Sequence, residues 1–156
     1  MRLAEKFTRD ISLADLAEMA GEELGVSEWV AITQERVNAF AEATGDFQWI
    51  HVDVERAKAE IGGPIAHGFL TLSLIPMLSQ SIMDVTGVKR CVVLGCNSIR
   101  FRTMVRVGDR IRLRQRVVSC DKRAGVFHFL SECRIEVEGE RRAACVAETV
   151  ALLYPY

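Results

Sequence analysis

The sequence predicts an α+β fold in which a curved antiparallel sheet wraps around one long central helix. The first observation is the run from 67 to 84, whose side chains leave almost no polar face and therefore indicate a buried helix. The second is that the apolar period changes to two from about residue 89 onward. Turns at 121–125 and 138–140 separate the strands, and such short connections favour antiparallel pairing with one buried face.

The composition is that of one globular domain, which we assign to residues 1–156. The net charge of −1 argues against a dedicated nucleic-acid binder, which usually carries a basic excess. The apolar run at 69–83 is shorter than the roughly 20 residues that cross a bilayer, so no membrane segment is expected. The five cysteines of the chain are scattered and form no CxxC pair, which favours free thiols in a reducing cytoplasm. No secretory signal is expected at the start of the sequence.

The N-terminal third is predicted to contain two helices and a strand. Ser12 begins a capping box for a short helix that ends at Gly21. Crowded aromatic and β-branched residues predict a first strand at 28–32. Thr33 is a suitable cap for a helix that continues to about Thr44.

Glycines and a proline divide the middle of the chain. Gly45 occupies the position of a left-handed residue at a helix C-terminus, so the chain is expected to turn sharply before Asp46. Asp53 is a candidate cap for a further helix, which the Gly-Gly-Pro run at 62–64 stops. Pro76 cannot donate a backbone hydrogen bond, so we expect the central helix to kink there or to break in two.

The strand at 110–117 alternates throughout except at Gln115 and places its arginines on one face. Such a row could bind a phosphate or another anion. The alternation favours instead a solvated or subunit-facing side of the sheet. The row consists of Arg110, Arg112, Arg114 and Arg116.

Asp46 and His51 are the first candidates for chemistry. Five residues on a continuous helix would place them about 140° apart, so a regular helix would not bring them together. A turn at Gly45 and an extended 47–50 segment could aim both at one water, from which the pair could take a proton and return one elsewhere. The residues leave an alternative equally open, in which Asp46 caps a turn and His51 packs near the Asp53 helix.

The glycine-containing segment at 62–68 leads into the apolar helix. Backbone N–H groups at a helix start have no partner within the helix, and they could bind the oxygen of a polarised carbonyl. Taken alone, the segment is more often a plain loop in which His67 caps the helix.

Together these features resemble the MaoC-like, (R)-specific enoyl-CoA hydratase family. Members of that family have the hotdog fold, a long antiparallel sheet around a central helix, which agrees with the architecture predicted above. Weaker similarity lies at 95–101 and in the turn at 107–109. The motif consists of Phe40-x4-Gly45-Asp46-x4-His51, followed by Ile65-Ala66-His67-Gly68.

The resemblance implies reversible hydration of a trans-2-enoyl thioester of coenzyme A or an acyl carrier to the (R)-3-hydroxyacyl thioester. By position, Asp46 and His51 would activate the water, and the Gly68 N–H would bind the thioester oxygen. A homodimer with edge-joined sheets and an acyl tunnel at the interface is implied, without a metal or a cofactor. The residues assigned to substrate binding are Trp49, His67, Asn97 and Arg100. For Asn97 and Arg100, contact with the pantetheine or a phosphate competes with an alternative that the residues alone favour, a turn residue and a solvated strand charge.

One departure concerns the residues between Asp46 and His51. Many relatives have Asn-Pro there, whereas this chain has Gln48-Trp49 and is similar to the branch that includes nodulation protein N. Bulky Trp49 is expected to reshape the acyl tunnel.

Two rival functions are considered. In a hotdog thioesterase, a carboxylate-directed water would attack the thioester carbonyl, but the Asp46/His51 pair favours the hydratase. In a non-catalytic acyl-binding protein, neither residue would be needed, so the presence of both argues against this function.

Overall fold

The computed structural model describes residues 9–156. The expected absence of a secretory signal concerns a segment that begins outside these residues. The chain first forms a short strand, β1 (Arg9–Ser12), and helix α1 (Leu13–Glu18). As predicted, Ser12 caps this helix, because its hydroxyl accepts the Asp15 N–H at 3.0 Å. Strands β2 (Glu23–Val26) and β3 (Val30–Ala31) follow. The strand predicted at 28–32 corresponds to β3, which is shorter than expected.

Three helices then bring the chain to the glycine-containing segment, namely α2 (Gln34–Thr44), α3 (Trp49–Val52) and α4 (Val54–Ile61). The cap of α2 by Thr33 and the left-handed Gly45, with a φ of 76°, confirm the predicted turn. The expected extended conformation of 47–50 is wrong at its end, where α3 begins. This helix forms because the Gln48 carbonyl accepts the His51 N–H at 2.9 Å.

The central helix is broken in two, into α5 (Gly68–Ser73) and α6 (Ile75–Gln80). Pro76 lies in the first turn of α6, where N–H groups have no acceptor within the helix. The lack of an N–H in proline therefore costs no helical hydrogen bond at this position. The helix ends at Gln80, earlier than predicted, because the following residues form strand β4 (Met83–Thr86), which pairs in parallel with β1. This two-stranded sheet was not predicted.

The main sheet contains four long strands in the region where the sequence predicts strands, from about residue 89 onward. They are β5 (Val88–Phe101), β6 (Arg110–Arg123), β7 (Val126–Val137) and β8 (Cys145–Pro155). The strand order is β2-β6-β7-β8-β5, and β3 pairs with β6 beyond β2. All pairs in this sheet are antiparallel, and β5 lies at its edge.

The two halves of the central helix pack on the sheet, α5 against β8 and α6 against β6. Leu70, Ile75 and Leu78 join the core formed by the inward side chains of β6 and β7. The predicted enclosure of the helix is incomplete in the single chain, since Phe69 is 63% exposed. Among the described residues, no helix is long and apolar enough to cross a membrane.

The arginine face of β6 is neutralised by glutamates. Arg112 and Arg114 both bind Glu136 on β7, at 2.7 and 2.8 Å, and Arg114 also contacts Glu23 at 2.9 Å. Arg116 likewise lies near Glu132 of β7, and Arg110 lies near Glu138, the residue that follows β7. Ion pairs with glutamates thus explain why four arginines lie on one face of β6.

Candidate active site

The connection between α2 and α3 carries Asp46. After the left-handed turn at Gly45, the Asp46 carboxylate accepts the Gln48 N–H at 3.4 Å, and its own N–H points to the Thr44 hydroxyl at 3.4 Å. These contacts form an Asx turn, which starts α3 and places His51 in its third position. The helix then carries His51 back towards Asp46.

His51 is buried, with 5% of its surface exposed, and is held at two points. Its Nδ1 donates a hydrogen bond of 2.7 Å to the Ile65 carbonyl, and its own carbonyl accepts from the Gln34 amide at 2.7 Å. Because a carbonyl can only accept, Nδ1 carries the proton, and the neutral ring presents the lone pair of Nε2. His51 is therefore oriented to take a proton at Nε2.

The surroundings of His51 lower its pKa below the usual 6.5. Burial is the main cause, because it disfavours the charged imidazolium, and the neighbouring His67 acts in the same direction. The hydrogen bond to Ile65 and the charge of Asp46 act in the opposite direction. The neutral ring, which can act as a base, is thus favoured near neutral pH.

His67 completes a compact cluster with this pair. One side-chain ligand atom from each of Asp46, His51 and His67 lies within 4.8 Å of the other two. The two imidazoles are stacked, with centroids 3.7 Å apart and planes 24° apart. Nearly parallel rings do not direct their lone pairs at one point, and each ring already binds a backbone carbonyl through one nitrogen. The arrangement suits proton transfer better than metal chelation.

Gly68 begins α5 beside His51, and both line a cavity of about 370 Å³. As the first helical residue, Gly68 has an N–H without an acceptor inside the helix. A Cβ at this position would lie 3.2 Å from the ring of Phe101, so the absence of a side chain leaves room beside the N–H. The remaining lining includes Thr71, Arg102 and Met104.

A larger cavity of about 550 Å³ lies along α6 and the inner face of the sheet. Its lining is mostly apolar and includes Ile75, Met83 and Leu153. Since Leu72 and Ser73 of α5 line this cavity while Gly68 and Thr71 line the smaller one, the two spaces lie along one helix.

The other residues predicted to bind substrate lie outside both cavities of the described chain. The Arg56 guanidinium lies over the Trp49 ring, with its Cζ atom 4.2 Å from the ring centroid. Asn97 donates its amide to Glu148 at 2.6 Å, and Arg100 is exposed and bonded to the carbonyl of the preceding residue. The expected effect of Trp49 on an acyl tunnel gains no support from this placement.

Two cavity residues were missed in the sequence. Phe101 ends β5, one residue beyond the arginine that was chosen, and Arg102 follows the strand. The signal available was the likeness of 95–101 to the family, which ends at Phe101. It did not indicate which side chains of the segment turn towards the helix.

Comparison with known proteins identifies the relatives of this chain. It is 50% identical over 141 residues to 3-hydroxyacyl-thioester dehydratase Z of Mycobacterium tuberculosis, an alignment that covers 89% of this chain and 93% of the relative. It is 38% identical over 152 residues to nodulation protein N of Rhizobium meliloti, with 92% and 91% covered. Both relatives therefore match almost over their full lengths.

Solved structures agree with the fold. The (R)-hydratase from A. caviae has a TM-score of 0.67 and 26% identity, and the match covers 85% of this chain and 94% of that one. The R-hydratase PhaJ1 from Pseudomonas aeruginosa has a TM-score of 0.70 and 20% identity, with 96% and 89% covered. The predicted hotdog fold is thus confirmed. The profile of the MaoC-like domain matches residues 15–132, and the chain belongs to this family.

Proposed function

We propose that the protein is a hydro-lyase that reversibly adds water to a trans-2-enoyl thioester and forms the (R)-3-hydroxyacyl thioester. The observation that carries this proposal is the cluster of Asp46 with His51, whose Nδ1 is bound to the Ile65 carbonyl so that Nε2 is left as the base, at a cavity that Gly68 at the start of α5 also lines. The similarity to a 3-hydroxyacyl-thioester dehydratase and to (R)-hydratases supports the same reaction.

The chemistry follows from the positions of these groups. A water held by Asp46 gives one proton to His51 Nε2 while its oxygen bonds to C3 of the substrate. The electron pair of the double bond moves towards C2 and the thioester oxygen, where the Gly68 N–H and the positive end of the central helix stabilise the developing charge. The imidazolium of His51 then returns the proton to C2, so that one water is added and the enzyme is regenerated. Asp46 stabilises the transient positive charge on His51.

The cavities support an acyl thioester as the substrate. The smaller cavity holds the catalytic groups, and the larger, apolar cavity along α6 has room for an acyl chain. Arg102 lines the smaller cavity and is exposed, so its guanidinium can bind a phosphate of the pantetheine carrier.

The functional unit is a homodimer in this proposal. Strand β5 lies at the sheet edge with Val93 and Leu94 exposed by 61% and 62%, and the nearby Phe69 and Met104 are equally exposed. A long apolar edge strand favours pairing with another chain, and pairing with a second copy joins the two sheets. The five cysteines, all free in the described chain, support a cytoplasmic location.

The test is incubation of the purified protein with a series of trans-2-enoyl-CoA thioesters, followed by analysis of the products. Hydration predicts a product heavier by one water, with the R configuration at C3 and the thioester intact. Release of free thiol without hydration would identify a thioesterase instead. Saturable binding without any product would identify a non-catalytic acyl-binding protein.

A further inference from the structure

His67 lies at the centre of the catalytic motif but away from the space that substrate can enter. Only 3% of its surface is exposed, and it does not line either cavity of the described chain. It occupies the position that precedes α5, yet its side chain does not cap that helix. A role other than substrate contact or capping is needed to explain a buried polar ring at this place.

The ring of His67 contacts both residues that are proposed to be catalytic. It stacks on His51 at a centroid distance of 3.7 Å, and its Nε2 donates a hydrogen bond of 3.0 Å to the backbone carbonyl of Asp46. Phe40 packs against the same ring at 5.0 Å. The three contacts join α2, α3 and the start of α5 in one cluster.

The Asp46 turn has few other short contacts. Its hydrogen bonds to Thr44 and Gln48 are 3.4 Å long, at the weak end of the range. The hydrogen bond from His67 is the shorter one, and it also fixes the direction of the peptide that carries the carboxylate. Loss of this bond would leave the position of Asp46 less defined.

The Nδ1 atom of His67 provides a further observation. This atom is buried, and no group among residues 9–156 forms a hydrogen bond with it. A buried polar atom without a partner costs about 1–3 kcal/mol, so stability alone would favour an apolar ring here. The presence of a histidine here despite this cost fits a role in the chemistry.

We propose that His67 is a positioning residue, which holds the His51 ring by stacking and the Asp46 turn by its hydrogen bond so that both face one water. This inference rests on the proposed hydration. The groups that face His51 are Asp46, His67 and the Ile65 carbonyl, and contact with His67 is one of the causes that lower the pKa of His51.

Two substitutions separate the contacts of His67. His67→Phe keeps a stacked ring but removes the donor to Asp46, whereas His67→Gln keeps an amide donor but removes the ring. The matched control is His128→Gln, because His128 lies on β7 opposite Asp121, far along the chain from the motif. Melting temperatures and circular dichroism establish that each variant is folded.

The kinetic result expected is a fall in kcat by about 10- to 100-fold in both variants, since small misplacements of catalytic groups have effects of this size. KM should change by less than about threefold, because His67 does not touch substrate. The acidic limb of the pH profile should move to higher pH, since the influence of His67 that lowers the pKa of His51 is lost. His128→Gln should match the wild type.

Proton NMR gives a readout that does not need activity, and the chain has only three histidines to assign. The His51 ring signals should lose their ring-current shift in His67→Gln and keep it in His67→Phe, and His51 should titrate at higher pH in both. Unchanged kcat and an unchanged His51 titration would overturn the inference, as would a raised KM with normal kcat. If the wild type hydrates no thioester, the proposed function fails, and the NMR titration alone decides whether His67 positions His51.

Discussion

Gln115 is a buried polar residue on the otherwise apolar face of β6, and it links the sheet to the central helix. It is 3% exposed. Its carbonyl oxygen accepts from the Ser79 hydroxyl of α6 at 2.7 Å, and its amide donates to Ser131 of β7 at 2.9 Å. We predict that Gln115→Met, which preserves the shape but not the hydrogen bonds, destabilises the protein.

The size of this effect follows from the two groups that lose their partner. Ser131 is almost fully buried but keeps its contact with Thr149 at 3.0 Å, whereas Ser79 is partly exposed and can turn towards water. An unsatisfied buried group costs about 1–3 kcal/mol, and one group remains partly satisfied, so we expect a loss of about 2 kcal/mol.

The assay is equilibrium unfolding in urea. With a slope of about 2 kcal/mol per molar, Gln115→Met should lower the midpoint by about 1 M at an unchanged slope. Adding Ser79→Ala and Ser131→Ala should recover part of the loss, because both hydroxyls that lost Gln115 are then removed and the Thr149 hydroxyl can still donate to the Ser131 carbonyl at 3.4 Å. A single variant as stable as the wild type, or a triple variant less stable than the single one, would refute the role of this network.

Three further predictions concern the site and the edge of the sheet. In Gly68→Ala, the new Cβ lies 3.2 Å from the Phe101 ring, so kcat/KM should fall about tenfold and recover partly in the double variant with Phe101→Leu; no recovery would contradict the steric cause. Because the pKa of His51 is lowered, its basic form persists to lower pH, and the acidic limb of kcat/KM should lie below pH 6.5; a limb above that value would contradict the lowered pKa of His51 as the group that controls activity. Val93→Lys adds a charge to the exposed edge strand and should convert the proposed homodimer to monomers, as measured by light scattering, whereas an unchanged mass would contradict an interface at this edge.

The sheet and the turns could be predicted because their signals are local. The alternation in β6 and β7 fixed which face is buried, and Pro76 predicted the break between α5 and α6. The exception at Gln115 was visible as a break in the alternation, but only the structure supplies its partners. The pairing of β1 with β4 joins residues about 74 positions apart in short strands, and no local pattern indicates such a contact.

The site was predictable only in part. Asp46, His51 and Gly68 follow from the motif, because a turn and two short helices bring them together. Asn97 and Arg100 were chosen on a strand whose register shifts between Val93 and Gly95 and between Cys96 and Ser98. Each such irregularity changes which side chains face the helix, and simple alternation cannot reveal it.

The most direct test of the account is the rate at which enoyl-thioester absorbance disappears with wild type, Asp46→Asn and His51→Gln. His128→Gln serves as the control for loss of a histidine. If Asp46 and His51 act on one water, the wild type and the control consume the substrate, and each site variant is slower by about 100-fold or more while remaining folded. Site variants as fast as the wild type would contradict the central claim that this pair carries the reaction.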